Sequence, residues 1–431
     1  MKVLLVNPAL SAKFPNGRDL IHDADLVHVP IGLLHLAAVA EADGHEVAVV
    51  DMPVAEMSME TYQQILDREK PAVVGITTMT ATFMNALECA RRAKRHGATV
   101  VMGGPHVTFD HEDVLRSGLC DVVIRGEGEV GFGALLASLA TEKDFSQVPG
   151  AVYLHDDRLV RVPEATRIRD LDSMPGLNYD LVDMKRYVQL EALGVHSSRG
   201  CPFTCDFCTI QAQWGRKVTY VTPKRVIDEV EYLVRRYDYE DKEFIFYDDT
   251  FTVYRTHVLE LCDEIIRRGV RFRWKAMTRV DRVDAELLGI MRAAGCFQVI
   301  YGIESTEEES LRQMGKGQHF DQVVHAIALA RAAALKVAGY FIIGFPWETR
   351  ADMERVVVKM GELELDTYGL AMLAPYPGTP YFEHPERWNL TIPDRDWERF
   401  NHLLPVIETP NFTLRDQAEV FAEYLQRYVL D

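Results

Sequence analysis

Apolar and polar positions along this chain follow two alternating rhythms. Short Val- and Ile-rich runs cover 2–8, 46–52, 72–80, 99–106 and 120–129, and the segments 31–43, 59–69, 83–96 and 110–117 between them carry apolar residues at helical spacing. Apolar runs of this length, alternating with helices, predict a parallel sheet covered on both faces. The expected fold of residues 1–140 is therefore a doubly wound, Rossmann-like α/β domain. Residues 141–190 lose the rhythm: "VPGAVYLHDDRLVRVPEATRI" reads as a small β-hairpin, and the rest as an irregular linker. A second alternation follows. Its strand candidates are 192–199, 243–249, 272–277, 297–305, 335–346 and 366–376, with helix candidates at 222–236, 256–268, 284–294, 319–334 and 350–363. These six βα units predict a partial (β/α)6 barrel over 191–376, followed by a small helical region over 377–431 that includes an amphipathic stretch at 413–429.

Ligands of doubly wound sheets sit beyond the carboxyl ends of the strands. Here those ends read "NP", "TTMT", "GGPH" and "RGEGE", which are small, hydroxyl-bearing or glycine-rich. Glycine lets a bulky ligand approach the backbone. Gly126, Gly128 and Gly131 form a G-x-G-x-x-G pattern, but it follows the fifth strand. A dinucleotide fingerprint follows the first strand of its unit, so this spacing does not indicate NAD or FAD.

Composition narrows the class. The 431 residues are 48% apolar and 26% charged, with a net charge of −18. Binding to a nucleic-acid backbone needs clustered Lys and Arg, so no nucleic-acid partner is expected. No apolar run approaches the ~18 residues of a membrane span. The opening "MKVLLVNPAL" reads as a buried strand rather than a leader, and the expected location is cytoplasmic. Seven cysteines in a chain this long are not a disulfide framework. Cys89, Cys120, Cys262 and Cys296 stand singly in apolar surroundings, as inert core residues do.

The remaining three are clustered in "SRGCPFTCDFC" as Cys201, Cys205 and Cys208. Structural zinc takes four protein ligands, and no second C-x-x-C pair exists to complete such a site. His196 stands close enough in sequence to be a fourth ligand, which keeps zinc open at this point. Thiolates at this density also suit an iron–sulfur cluster. A [4Fe–4S] cube held by three thiolates leaves one iron open, and an open metal position is a mark of catalysis. The trio follows the first barrel strand, on the face where barrel enzymes carry out chemistry.

C-x-x-x-C-x-x-C in this position, with Phe207 before the last cysteine, resembles the radical S-adenosylmethionine (SAM) enzymes. The resemblance implies a [4Fe–4S] cluster on Cys201, Cys205 and Cys208, with SAM on the open iron and reductive cleavage to a 5′-deoxyadenosyl radical. It implies SAM contacts at Phe207, at Asp248 and Asp249 of "YDDTFT", and at Arg279 of "MTRVD". Further contacts are implied at Glu304 and Ser305 of "YGIES" and at Gly344 of "IIGFPWET". Aspartates suit an ammonium and a guanidinium suits a carboxylate. "PYPGTPYF" recurs in the family as a turn.

Residues 1–140 resemble the cobalamin-binding domain that precedes many radical SAM barrels. That resemblance implies cobalamin along Asn7, Thr77, Thr78, Gly103, Gly104, Pro105, His106, Gly126, Glu127 and Gly128. The D-x-H-x-x-G motif of vitamin-B12 methyltransferases has only a near match at Asp43-Gly44-His45, with Ala48 where the glycine belongs. His28 and His106 are the other candidates, and the expectation is that no protein histidine sits on cobalt.

The implied activity is cobalamin-dependent methylation of an unactivated carbon, or phosphorus, of a small-molecule or natural-product substrate. The alternative is cyclisation or rearrangement with the same cofactors and no net methyl transfer. A tRNA methylthiotransferase would carry three more cysteines in the first domain, which has only Cys89 and Cys120. A cofactor sensor would have little use for an open iron. The expected partners are the small-molecule substrate and an external electron donor such as flavodoxin or ferredoxin, with no nucleic acid and no membrane.

Overall fold

The computed structural model describes residues 1–10, 28–141, 143–191 and 193–429. The chain forms two compact units, Met1–Ala192 and Leu193–Asp431.

The first unit is built on β1 (Lys2–Asn7), β2 (Glu46–Asp51), β3 (Val73–Thr77), β4 (Thr99–Gly103) and β5 (Val122–Ile124). They lie in the order β2-β1-β3-β4-β5 and pair in parallel. This is a doubly wound sheet whose strand order reverses between β1 and β3. Val3 to Val6 are all buried, because a strand covered on both faces has no solvent side to make polar. Leu5, Leu33, Ala37, Val101, Phe132 and Leu135 meet in one core cluster.

Two features differ from the sequence pattern. The fifth run forms a strand only over Val122–Ile124, because Gly126 takes φ +72° and a helix begins at Gly128. That helix, Gly128–Leu139, is apolar nearly all round and so carries no helical period to detect. Gly131 explains the third glycine of G-x-G-x-x-G. A Cβ there would lie 2.5 Å from Pro149 O and 2.8 Å from Ile124 Cγ2, so the glycine seats the helix. Next, β6 (Ala151–His155) and β7 (Arg158–Arg161) form the expected hairpin, turning at Asp156 and Asp157 with φ of 50° and 59°. Positive φ at both turn residues marks the tight turn that matches strand twist. The hairpin pairs antiparallel with β5 and so extends the first sheet.

The second unit begins with β8 (Leu193–Val195), followed by the short antiparallel pair β9 (Ser198–Arg199) and β10 (Thr219–Tyr220). The main strands continue as β11 (Glu243–Phe246), β12 (Arg273–Thr278), β13 (Cys296–Glu304), β14 (Lys336–Ile343) and β15 (Thr367–Met372). Together with β8 they make an all-parallel six-stranded sheet, β15-β14-β13-β12-β11-β8, as a partial barrel requires. Helices Pro223–Arg236, Arg255–Arg268, Ala285–Ala293, Phe320–Ala332 and Arg350–Met360 follow their strands as the pattern predicted.

Beyond β15 comes a region of short helical turns and a final helix, Leu414–Tyr428. Thr413 and Asp416 cap that helix reciprocally. It packs along β15 and the helix Arg350–Met360: Tyr424 OH donates to Tyr368 O at 2.9 Å and Tyr428 OH to Val357 O at 2.9 Å. Among the described residues no helix is long and apolar enough to cross a membrane.

Candidate active site

The cysteine loop leaves β9 and is held from below by acids at the end of β11. Asp248 is buried and accepts from Ser197 N at 3.1 Å, from Ser197 Oγ at 2.9 Å and from Ser198 Oγ. Burial pushes its carboxyl up to about 6, against the pull of those bonds. Asp249 Oδ2 accepts from Gly200 N at 2.9 Å, just before Cys201. Both aspartates that the resemblance assigned to SAM therefore brace the backbone that presents the thiols. Cys201 Sγ lies 3.4 Å from Thr250 Oγ1.

Cys201, Cys205 and Cys208 are half-buried. Burial raises the Cys205 thiol and pushes Cys208 up to about 12. Thiolates in this wall need compensating positive charge, which a metal centre supplies. Among the described residues no three His, Cys, Asp or Glu side chains are arranged to hold a single metal ion. A cube, in which each thiolate takes a different iron, spreads its ligands more widely, so the donor set fits a cluster.

Arg279, after β12, ties the loop together. Its guanidinium forms a fork with Asp281, Nε to Oδ1 at 2.9 Å and Nη2 to Oδ2 at 3.1 Å. It lies 3.8 Å from the Phe203 ring centroid, and Nη1 is 4.0 Å from Cys205 Sγ. Nη2 also donates to Lys316 O at 2.7 Å. A planar, permanently charged fork can make all these contacts at once.

Glu304 ends β13 with φ +68°, an uncommon conformation for a residue with a side chain. The β13–β14 register slips at this point. Its Oε1 is 2.5 Å from Nζ of the buried Lys316. Gln318 Nε2 donates to Ile303 O at 3.0 Å, so the "MGKGQ" segment closes over this strand end. Ser305 is buried, and its Oγ accepts from Glu307 N at 3.1 Å.

Gly344 opens the turn after β14 with φ +88°. A Cβ there would lie 2.5 Å from Gln417 Oε1 of the final helix. The buried Glu348 holds this turn: Oε2 accepts from Gly344 N at 2.9 Å and Phe345 N at 3.0 Å, and Oε1 accepts from Ser310 Oγ at 2.9 Å. Burial pushes Glu348 up to about 7. Phe345 stacks on Trp347 at 5.2 Å and meets the Phe207 ring edge-on at 5.9 Å. The turn and the cysteine loop thus share an aromatic wall.

In the first unit the predicted residues line the carboxyl edge of the sheet. Thr78 sews β3 to β4: its N and Oγ1 each donate to Gly103 O at 2.8 Å, and His106 N donates to Thr78 O at 3.1 Å. Gly104 takes φ +99°, and a Cβ there would lie 2.7 Å from Thr78 O and 2.8 Å from Thr78 N. We expect Gly104→Ala to cost about 2–5 kcal/mol, from overpacking plus a left-handed backbone. A lowered urea midpoint of the first unfolding transition is the check; an unchanged midpoint refutes the close fit. Thr77 and Pro105 flank this contact in sequence.

His106 is buried. Its Nδ1 is 3.1 Å from Thr80 Oγ1, and its ring packs 4.0 Å from that of Phe83. Burial depresses it to about 3, which keeps the imidazole neutral. His45 lies in the turn before β2, and His28 is exposed. Asn7 turns toward β2 and donates to Asp51 Oδ1 at 2.8 Å; Tyr187 OH donates to the other oxygen of that buried carboxylate. Glu127 Oε2 accepts from Ile168 N at 2.7 Å. Gly126 and Gly128 bracket it; a Cβ on the former would lie 2.9 Å from Glu164 Oε2, and on the latter 3.2 Å from Leu36 Cδ2. Sequence reasoning missed Met79 and Met84, whose large apolar side chains are 51% and 42% exposed beside β3. It also missed Asp281, Lys316, Gln318 and Glu348. Of these, Asp281 had a visible signal, its two-residue spacing from Arg279.

Residues 17–136 match the family described as B12 binding domain, and residues 195–359 match the Radical SAM superfamily. An uncharacterised methyltransferase of Pyrococcus horikoshii is 32% identical over 421 residues, covering 96% of this chain and 89% of that one. The chain belongs to the cobalamin-binding radical SAM family. Within it, the anaerobic magnesium-protoporphyrin IX monomethyl ester cyclase of Rubrivivax gelatinosus is 27% identical, over 93% of this chain and 73% of that one. The family fold is matched by the radical SAM methyltransferase TsrM of Kitasatospora setae, solved with tryptophan and a SAM analogue. Its TM-score is 0.76 at 19% identity, over 98% of this chain and 88% of that one.

Proposed function

We propose that this chain is a cobalamin-dependent radical SAM methyltransferase acting on a small molecule. The reading rests on one observation: a half-buried three-cysteine loop and a doubly wound sheet with a small-residue carboxyl edge occur in one chain that is 32% identical to a methyltransferase-named relative. Cys201, Cys205 and Cys208 would hold the cluster. The Phe207–Phe345 wall, Gly344 and the Glu304–Ser305 strand end would hold SAM. Thr78, Gly103, Gly104 and the exposed Met79 and Met84 would face cobalamin, whose macrocycle needs an apolar bed and a narrow entry for its tail. When bound, the cluster and SAM supply a radical that removes a substrate hydrogen, and cobalamin supplies a methyl group.

The residues' own contributions are positional. Asp248 and Asp249 fix the backbone entering the cysteine loop, and Arg279 clamps its middle. Glu348 holds the Gly344–Phe345 turn rigid, so the aromatic wall stands before a ligand arrives. Such preorganisation lowers the ordering cost of binding.

Reconstituted with iron, sulfide and cobalamin, and given CD3-labelled SAM and a chemical reductant, the chain is expected to form both 5′-deoxyadenosine and S-adenosylhomocysteine. Quantitative mass spectrometry of the two, and of the CD3 group carried by cobalamin that balances the S-adenosylhomocysteine, is the test. The similarity to the Rubrivivax cyclase favours one second reading, cyclisation on the same cofactors. Deoxyadenosine without S-adenosylhomocysteine would displace methylation in favour of that reading.

A further inference from the structure

The six-stranded sheet of the second unit carries helices against one face. On that face Trp274 Nε1 donates to Ala294 O at 2.8 Å, beside the helix Ala285–Ala293, and Tyr301 OH donates to Ala326 O at 3.5 Å, within the helix Phe320–Ala332. Side chains alternate along a strand, so the residues next to Trp274 and Tyr301 point to the inner face. The registers align that inner set across the sheet: Ile245 with Gly194 and Lys275, Met277 with Ile300, and Tyr340 with Gly302 and Gly369. All-parallel sheets are ordinarily buried on both faces. Here Met277 is 42% and Tyr340 45% exposed, although each lies in a strand with a partner on either side.

Three properties of the inner face narrow what it holds. The first is flatness. A Cβ on Gly369 would lie 2.6 Å from Tyr340 Cδ1, and one on Gly194 would lie 2.5 Å from Tyr247 Cε2. Each tyrosine ring therefore lies down over a glycine instead of standing up from the sheet. The two rings belong to β14 and β11, three strand spacings or roughly 14 Å apart, with Met277 and Ile300 on the strands between them. The second property is charge. The layer that contains Met277 continues through Ile300, Ala338 and Thr367, none of them charged. His196, whose ring is 5.7 Å from that of Tyr247, is depressed by burial to about 4 and is neutral. One layer below, Lys275 is paired with Glu243 at 3.7 Å. The third property is position. A Cβ on Gly302, the register partner of Tyr340, would lie 2.7 Å from Glu304 Oε1 and 3.0 Å from Lys316 Nζ. The tyrosine floor thus runs up to the strand end assigned above to SAM.

We propose that this inner face binds the substrate, and that the substrate is a planar, uncharged ring system that stacks on Tyr340 and beds on Met277. The proposal rests on the SAM reading above, which makes this the face next to the reactive end of the sheet. Aromatic faces stack in offset pairs, and a methionine thioether is polarizable and favours ring contacts. A puckered, saturated molecule would touch a flat floor at few points and forfeit dispersion contacts. A charged one would give up its water with no free counter-charge in the Met277 layer to replace it.

The experiment uses the reconstituted full chain with SAM and titrates four probes by ligand-observed NMR. Near neutral pH, quinoline is planar and uncharged, N-methylquinolinium and a quinoline carboxylate are planar and charged, and decalol is uncharged and puckered. Quinoline is expected to bind at least ~3-fold more tightly than each of the other three. Tyr340→Leu should weaken quinoline by about 3- to 10-fold, and Tyr340→Phe should keep it. Gly369→Ala leaves the ring chemically intact but lifts it from the sheet, and should weaken quinoline too. Tyr340 is half-exposed, so its variants keep the test decisive should Gly369→Ala fail to fold. Equal affinity for decalol would overturn the flat floor, and tighter binding of either charged probe would overturn the uncharged substrate. Unchanged quinoline affinity in Tyr340→Leu would overturn the location. A chain that cleaves SAM yet binds none of the probes would overturn the proposal alone. A chain that binds quinoline at Tyr340 but cleaves no SAM would overturn the SAM reading instead, and one that does neither would overturn both.

Discussion

Replacing Cys205 with Ala is expected to abolish SAM cleavage while leaving cobalamin binding intact. The loop has three thiols, and the four other cysteines are buried singly elsewhere in the chain. Losing one leaves two irons of a cube without protein ligands, and the cluster is then expected to be lost on handling. The first unit should not register the change, because its sheet edge is built from Thr78, Gly103 and Gly104 in a separate compact unit. Iron and sulfide analysis, deoxyadenosine formation and the visible spectrum of bound cobalamin read out the three parts independently. SAM cleavage at the unsubstituted rate in Cys205→Ala would remove the catalytic assignment of the loop.

The second large effect is expected at Arg279. Arg279→Ala strips the fork from Asp281, whose side chain is only 14% exposed, and removes the donor to Lys316 O. Asp281 then keeps only the half-exposed Arg282, 3.7 Å away, so the loss should fall below the roughly 3–5 kcal/mol of a buried charge left with no partner. Phe203 also loses the nearer of its two cations, worth about 0.5–2 kcal/mol. The loop should loosen, so iron retained after reconstitution should fall together with the thermal midpoint. Arg279→Lys should rescue little, because an ammonium cannot serve Asp281, Phe203 and Lys316 O together. A lysine variant with full iron content and midpoint would show that charge alone matters here, and the clamp would be wrong.

Much of this architecture was legible from periodicity. The Val- and Ile-rich runs of β1 and β3 mark strands buried on both faces, and helices such as Pro223–Arg236 show a clear apolar stripe. The cysteine trio was equally legible, since its chemistry lies in adjacent residues. What escaped was whatever depends on burial from outside the local sequence. The helix Gly128–Leu139 is apolar nearly all round, so no period betrays it. Asp248 and Asp249 bond to the Ser197–Gly200 segment, a pairing made across 49 to 51 positions of sequence that no local pattern announces. Asn7 and Glu127 behave alike, one bound to Asp51 and the other to Ile168 N. Glu348 was invisible because its role lies in two backbone amides and one serine hydroxyl, none of which forms a motif.

The final helix has a consequence outside catalysis. An open sheet has two edge strands, and here one of them is β15, whose outer side is met by His402 O at Met372 N. Exposed strand edges recruit other chains and seed aggregation. Tyr424 takes the Tyr368 carbonyl on that strand, and the helix covers the flank. A version of this protein cut before Thr413, to isolate a minimal barrel for crystallisation, would present the rest of that edge to its neighbours in solution. It should therefore be recovered mainly from inclusion bodies, even though every cysteine and every barrel strand would still be present.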